Sequence, residues 1–388
     1  MKPRLLYNEI EKYLDSPEAV IITGMRRTGK TTLLHFIYDR VESGNKIFLD
    51  LENPLNRKYF EEENYENIRS ALNVLGINFN KQAFIFIDEI QFMRSLPSVV
   101  KYFIDNYKVK FFLTGSASYY MKNLFAESLA GRKYVFELFP LSFREFLIFK
   151  EVDFNIPTDG TQITKPICDL IAPYYEEYIT FGGFPGVVLK ESSDEKNRGL
   201  DDIFTSFFQL EVLQLGDFRK NNVMRDLMLL LAQRPGSKLD ILKLSSELGV
   251  SRHTLGAYIS FLEGTYFIRT IRPFSQGRDT EIRKMPKVYL CDTGLANRLA
   301  RMDTGTLFES SVFSNLRLKG EVAYYQKKSG VEIDFVVGRK VGYEVKVSPR
   351  GQDVVRLQGL CAELGLSECK IISKNFSKFD NIIYGFMV

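Results

Sequence analysis

Cysteine and histidine are scarce in this chain, and their scarcity removes several chemistries. Cys168, Cys291, Cys361 and Cys369 are the four cysteines of 388 residues. None is spaced to pair with another as a metal ligand. With His35 and His253 the only two histidines, no zinc site is expected, and buried or indifferent thiols in a reducing cytoplasm are. Long apolar runs are missing as well: none reaches the roughly 18 uncharged residues of a membrane span, so no membrane partner is expected. The start does not read as a signal segment, because Asn8, Glu9, Glu11 and Lys12 interrupt its apolar residues. There is no internal repeat and no low-complexity tract. A strong charge of one sign is also absent, and a net +4 does not by itself indicate a nucleic-acid partner.

What is present is ordinary globular material, 45% hydrophobic and 26% charged, enough to bury real cores. The length predicts about two to four domains. AVIIT at 19–23, KIFLDLE at 46–52, AFIFIDE at 83–89 and KFFLTGS at 110–116 are continuous apolar runs separated by helix-length spacers. Such runs read as buried parallel strands of an α/β sheet with helices on both faces. Past Pro140 the strand signal fades into aromatic-rich helical segments to about 216, broken by a Gly182-Gly183-Phe184-Pro185 turn.

Gly24-Met25-Arg26-Arg27-Thr28-Gly29-Lys30-Thr31 follows the first strand and opens an apolar-periodic helix, the setting a phosphate-binding loop requires. Its glycines allow successive N–H groups to turn inward as an anion cradle at a helix N-terminus. Lys30 is expected on the β- and γ-phosphates of ATP and Thr31 on Mg²⁺, with Gly24 to Thr32 as the nucleotide-binding set. Asp88 and Glu89 close a buried strand where open α/β sheets place ligands. Asp88 is expected to hold Mg²⁺ through water and Glu89 to polarise the attacking water. Thr114 and Ser116 either sense the γ-phosphate or form an ordinary turn. Arg132 is the first candidate for the cation on the transition-state charge, with Arg26 and Arg27 as rivals, and a surface arginine as the plain alternative.

VMRDLMLLLAQ, KLDILKLSSELGV and SRHTLGAYISFLEGTYFIRTI give three helical patterns closed by a β-rich run, with Ser251 as an N-cap. That is the order of a winged helix-turn-helix, with 252–263 as recognition helix. Between Ser251 and Val288 seven Lys or Arg oppose three acids. The surface is either DNA-facing or a solvated face without a partner.

GMRRTGKTTLL, FIDEIQ, FLTGSAS, LAGR, FPLSFREFL, FGGFP, PKVYLCDTGL and the closing EIDFVV and YEVK together resemble the bacterial and archaeal AAA-like ATPases that carry a C-terminal restriction-endonuclease-like domain of unassigned function. The resemblance implies an ATPase core (1–140), a helical lid (141–216), a winged-helix module (217–285) and a restriction-endonuclease-like α/β domain (286–388). FPLSFREFL and FGGFP carry no assigned chemistry in that family.

The segment 331–348 can also be read residue by residue. With GRK at 338–340 as a three-residue loop, Val337 faces Val341 and Asp334 faces Glu344. Ile333, Phe335, Val337, Val341, Tyr343 and Val345 then share one face, and Asp334, Glu344 and Lys346 the other. Two carboxylates within about 5.5 Å repel unless a cation separates them, which makes a site for a second divalent ion, Mg²⁺ or Mn²⁺, on Asp334 and Glu344. Lys346 fits the D…ExK logic of nucleases, and Glu309 matches their additional helical acid. The alternatives are a phosphodiester-cleaving site and a salt-bridged strand pair in an inert scaffold. The resulting expectation is a Mg²⁺-dependent ATPase coupled to a C-terminal half that binds DNA, with or without cleaving it. The alternative is a nucleotide-gated regulator acting as a homo-oligomer or on a protein partner.

Overall fold

The computed structural model describes residues 2–115, 129–157, 163–215, 220–275, 277, 281, 284–379 and 382–388, without the side chains of 214 and 215. They form two compact units, one of Met1–Phe139 with Gly264–Tyr266, the other of Pro140–Glu263 with Phe267–Val388. No helix among the described residues is long and apolar enough to cross a membrane.

The first unit is built on five parallel strands, β1 (Ala19–Thr23), β2 (Lys46–Asp50), β3 (Ala83–Asp88), β4 (Val109–Gly115) and β5 (Lys133–Glu137), in the order β2-β3-β4-β1-β5. Every residue of β1 and β4 is buried, because helices cover both faces. One face packs Val20, Phe86 and Phe112 against Leu33, Leu34 and Ile37 of the helix Lys30–Arg40. The other packs Ile85, Ile87, Phe111 and Leu113 with residues of the helices Tyr65–Val74 and Leu96–Asn106. Strand β5 was not among the expected strands. It lies at the sheet edge and is only half buried, so it lacks the continuous apolar run that marks its neighbours. Lys110, inside β4, is fully buried and donates to the carbonyls of Ser16 at 2.9 Å and Glu18 at 2.6 Å. Burial pushes its ammonium down to about 8.

The second unit opens with helices Phe143–Phe149, Lys165–Phe181 and Ser193–Phe207, the first and third started by capping boxes of Ser142 with Glu145 and Ser192 with Glu195. Helices Asn221–Ala232, Ile241–Glu247 and Arg252–Gly264 follow. Ser251 Oγ accepts the Thr254 N–H at 3.1 Å, as a cap should. An antiparallel pair comes next, β6 (Ile268–Ile271) with β7 (Lys287–Leu290), and Lys238 bridges to Lys287. After helices Thr293–Ala300 and Thr304–Leu316 come β8 (Val322–Gln326), β9 (Glu332–Val337), β10 (Val341–Lys346), the helix Gly351–Leu364, β11 (Glu368–Ser373) and β12 (Ile382–Tyr384). These strands form one sheet in chain order, antiparallel from β8 to β10 and parallel from β10 to β12. One apolar cluster runs from Leu141, Phe146 and Tyr178 through Phe308 and Phe313 to Phe335 and Phe386. The three regions expected after residue 140 therefore share a core.

The blocks FPLSF, FGGFP and CDTG meet inside this unit. Leu141 N–H donates to Gly183 O and Gly183 N–H to Asp292 Oδ2, both at 2.7 Å. Asp292 also caps the helix Thr293–Ala300 by accepting the Leu295 N–H at 2.9 Å. Burial pushes its carboxyl up to about 6, against the pull of these backbone donors. The approach admits no side chain: a Cβ on Gly183 would stand 2.3 Å from Leu141 O, and one on Gly294 2.0 Å from Phe181 O. Gly183→Ala should therefore cost about 3 kcal/mol, the upper range for overpacking, seen as a lower unfolding midpoint in a thermal scan. Gly186→Ala, whose Cβ meets nothing within 4 Å, should leave the midpoint unchanged or higher.

Candidate functional site

The loop between β1 and the helix Lys30–Arg40 is seated by backbone contacts. Leu138 N–H donates to Thr23 O at 2.7 Å. A Cβ on Gly24 would stand 2.2 Å from Leu138 O, so only glycine permits this approach. Arg27 and Gly29 both have left-handed backbones, φ 66° and 94°, and Gly29 is the N-cap of the helix. Thr28 is fully buried and donates to Met25 O at 2.9 Å. Lys30, 5% exposed, curls over the loop and donates to the carbonyls of Gly24 and Met25, each at 2.9 Å. Thr31 and Thr32 stand exposed on the first helical turn, and Arg27 is exposed beside a half-buried Arg26.

Asp88 ends β3, 3% exposed, and accepts the hydroxyl of Thr114 and the Glu89 N–H, the latter at 2.9 Å. Thr114 is fully buried and committed to Asp88, so it orients this carboxylate rather than standing open to a phosphate. Glu89 has a left-handed backbone, φ 53°, and its Oε2 accepts from the Gln91 amide. Burial pushes its carboxyl up, while the charges of Lys30 and Arg26 and the Gln91 bond hold it down and Asp88 opposes them. The charges of Lys30, Arg26 and Asp88 thus all act on Glu89 at one end of the sheet. Arg132 lies apart from them, in a part-exposed ion pair with Asp105 at 2.6 Å. Ser116 lies outside the described residues.

Two residues that support this site carry no local signal in the sequence. Arg4 is buried and donates to Thr28 O and Phe139 O, each at 2.7 Å, tying the loop to the end of the unit. Tyr266, also left-handed at φ 64°, bonds the Thr23 hydroxyl at 2.5 Å and donates to Glu137 Oε1 at 3.0 Å. Both act across more than a hundred residues of chain, beyond any motif.

In the second unit the register is the expected one at the hairpin, with Val337 opposite Val341 and Phe335 opposite Tyr343. Against β8, however, the pairing slips by one: Ala323 faces Val336 and Tyr325 faces Ile333. Asp334 and Phe335 therefore oppose Tyr324 alone, a β-bulge. The bulge breaks the expected alternation, and Ile333 packs with Val336, Leu357, Leu360 and Cys361 rather than with Phe335 and Val337. Asp334 Oδ2 accepts the Val345 N–H at 2.7 Å. Glu344, 2% exposed, pairs through Oε1 with Lys346 at 2.8 Å and Arg356 at 2.5 Å, while its buried Oε2 has no partner. Glu309 accepts from Tyr289 OH at 2.7 Å. Glu344 and Glu309 both act on the charge of Asp334. No group of three or more His, Cys, Asp or Glu among the described residues is arranged to hold a metal ion. The counter-charges at Glu344 are instead Lys346 and Arg356, and Arg356 was not foreseen.

A five-stranded parallel sheet thus carries a glycine-bounded loop after the strand flanked by β4 and β5, with acids closing β3. Residues 16–147 match a family model described as an AAA domain, and residues 172–306 match one described as a domain of unknown function. The chain is similar to an uncharacterized protein of Methanocaldococcus jannaschii, 27% identical over 98% of this chain and 88% of that protein. One of Haemophilus influenzae is 25% identical over 84% of this chain and 81% of its own length. Among solved structures, a Walker-type ATPase of Pyrococcus abyssi aligns with TM-score 0.49 and 16% identity over 78% of this chain and 96% of that one. The ORC2 protein of Aeropyrum pernix, ADP form, aligns with TM-score 0.38 and 15% identity over 79% and 93%.

Burial, followed by the charges of Glu344 and Glu309, raises the Asp334 carboxyl to about 7, against the Val345 N–H and Lys287. A folded-state value above the unfolded one adds stability only below the usual carboxylate range, and that stability is lost as pH rises through about 7. Asp334→Asn keeps an oxygen for the Val345 N–H and carries no charge. Its unfolding midpoint should exceed that of the unsubstituted protein at pH about 8, with the difference shrinking toward pH about 5. A difference independent of pH in a thermal series would contradict this.

Proposed function

We propose that this protein binds Mg–ATP and hydrolyses its γ-phosphate, with the loop 24–32 as cradle and Glu89 as general base. The observation that carries the reading is the mutual placement of Lys30, Asp88 and Glu89 at one end of the sheet. Lys30 exchanges its loop carbonyls for β- and γ-phosphate oxygens, and the inward N–H groups of the loop meet the same phosphates. The Thr31 hydroxyl and the Asp88 carboxylate are hard oxygen donors that fit Mg²⁺, and they would hold it. Bound there, the ion neutralises triphosphate charge. Glu89, whose carboxyl burial raises against the pull of Lys30, Gln91 and Arg26, takes the proton of the attacking water. Arg26 is favoured over Arg132 as the cation of this site, because its charge already acts on Glu89 whereas Arg132 is paired with Asp105.

A second reading concerns residues 217–388, as a winged-helix module followed by a restriction-endonuclease-like domain that faces DNA. It is favoured by the outer face of the helix Arg252–Gly264, where Arg252, His253, Ala257 and Ser260 are exposed, together with exposed Arg269 and Arg272. Small residues beside basic ones suit close approach to a phosphate backbone. Cleavage by Glu309, Asp334, Glu344 and Lys346 would require Mg²⁺ or Mn²⁺ to displace Arg356 from Glu344. The Arg356 pairing favours the scaffold form of this reading, in which the domain binds without cutting.

Lys30→Ala should abolish binding of a fluorescent ATP analogue. Glu89→Gln should retain binding and lower kcat by about 10²–10⁴-fold. Turnover like that of the unsubstituted protein in Glu89→Gln would refute the assignment. For the second reading, duplex affinity should fall steeply with salt, and Arg252→Glu with Arg269→Glu should flatten that dependence. An unchanged salt titration would remove DNA from the proposal.

A further inference from the structure

We propose that Gln91 is a positioning residue for the hydrolytic step, its side-chain amide gripping Glu89 by one carboxylate oxygen so that the other is presented to the attacking water. The inference rests on the ATP-hydrolysing reading above. Gln91 lies in the single helical turn Ile90–Phe92 that follows β3. The left-handed backbone of Glu89, φ 53°, reverses the chain there, and Gln91 Nε2 reaches back to donate to Glu89 Oε2. The backbone of Glu89 is held separately, by its N–H on Asp88 Oδ1 at 2.9 Å. The residue is therefore fixed at both ends, main chain by Asp88 and carboxylate by Gln91. The bond from Gln91 falls on Oε2 of that carboxylate.

The charges of Lys30 and Arg26 also act on Glu89, but both lie in the phosphate loop, where a bound triphosphate competes for them. Gln91 is outside the loop, so its donation persists when nucleotide is bound. A residue that only capped the turn would affect stability and leave kcat alone.

The test uses the full chain with Gln91→Leu, which removes the donor at nearly constant volume, and Gln91→Glu, which sets a like charge against Glu89. In Gln91→Leu kcat should fall about 10-fold with KM for ATP unchanged. In Gln91→Glu the fall should be larger. The side-chain amide resonance of Gln91, assigned by its loss in Gln91→Leu, should shift in Glu89→Gln, which replaces the accepting carboxylate. An unmoved amide resonance overturns the proposal, whatever happens to kcat, and so does an unchanged kcat in Gln91→Leu. If the unsubstituted protein hydrolyses no ATP while the amide resonance still follows Glu89, the ATPase reading fails and the grip on Glu89 stands. Should Gln91→Leu fail to fold, Gln91→Glu supplies the same comparison.

Discussion

The first unit depends on a contact between two stretches of main chain. Gly24 rests on Leu138 so closely that a single methyl would collide with the carbonyl. The loop 24–29 takes its course against the residue that follows β5, which braces it. Everything nearby reinforces that seat: the Thr23–Leu138 hydrogen bond continues the ladder, Arg4 clamps Thr28 to Phe139, and Tyr266 joins Thr23 to Glu137. Left-handed backbone at Arg27 is tolerated there at a cost of order 1 kcal/mol, because its surroundings over-determine it.

Two buried carboxylates show how differently one fold can treat the same group. Glu89 is raised by burial against cations and a neutral donor that pull it down, with Asp88 nearby already occupied by Thr114 and a backbone N–H. Asp334 sits among acids with Lys287 opposing them, while Lys346 and Arg356 are spent on Glu344. The first arrangement suits proton acceptance near neutrality. The second produces a group poised between its two forms, and a carboxylate, Glu344, neutralised by the protein's own side chains.

What could be read in advance was local. The phosphate loop, the buried strands β1 to β4 and the hairpin turn at 338–340 each declare themselves within a few residues, through glycine placement, continuous apolar runs and alternation. Strand β5 escaped because an edge strand needs only one covered flank and so shows no unbroken apolar run. The bulge at Asp334 escaped because it is a property of pairing with β8, and it moved Ile333 to the other face. Arg356, Arg4 and Tyr266 reach their partners through tertiary structure alone. The blocks FPLSF, FGGFP and CDTG, which suggested no chemistry, meet as backbone packed on backbone around Asp292. Their glycines answer to space rather than to a ligand.

The excursion of Gly264–Tyr266 into the first unit has a consequence for biosynthesis. The first unit is not a contiguous stretch of chain. When Phe139 leaves the ribosome, Thr23 and Glu137 still lack the phenol that joins them, and at 5–20 residues per second Tyr266 follows roughly ten seconds later. The nascent N-terminal portion therefore waits, incompletely braced beneath the loop 24–32, until the helices from Phe143 to Gly264 have been made. Completion of the first unit is ordered in time after the start of the second, which ties the maturation of one to the synthesis of the other.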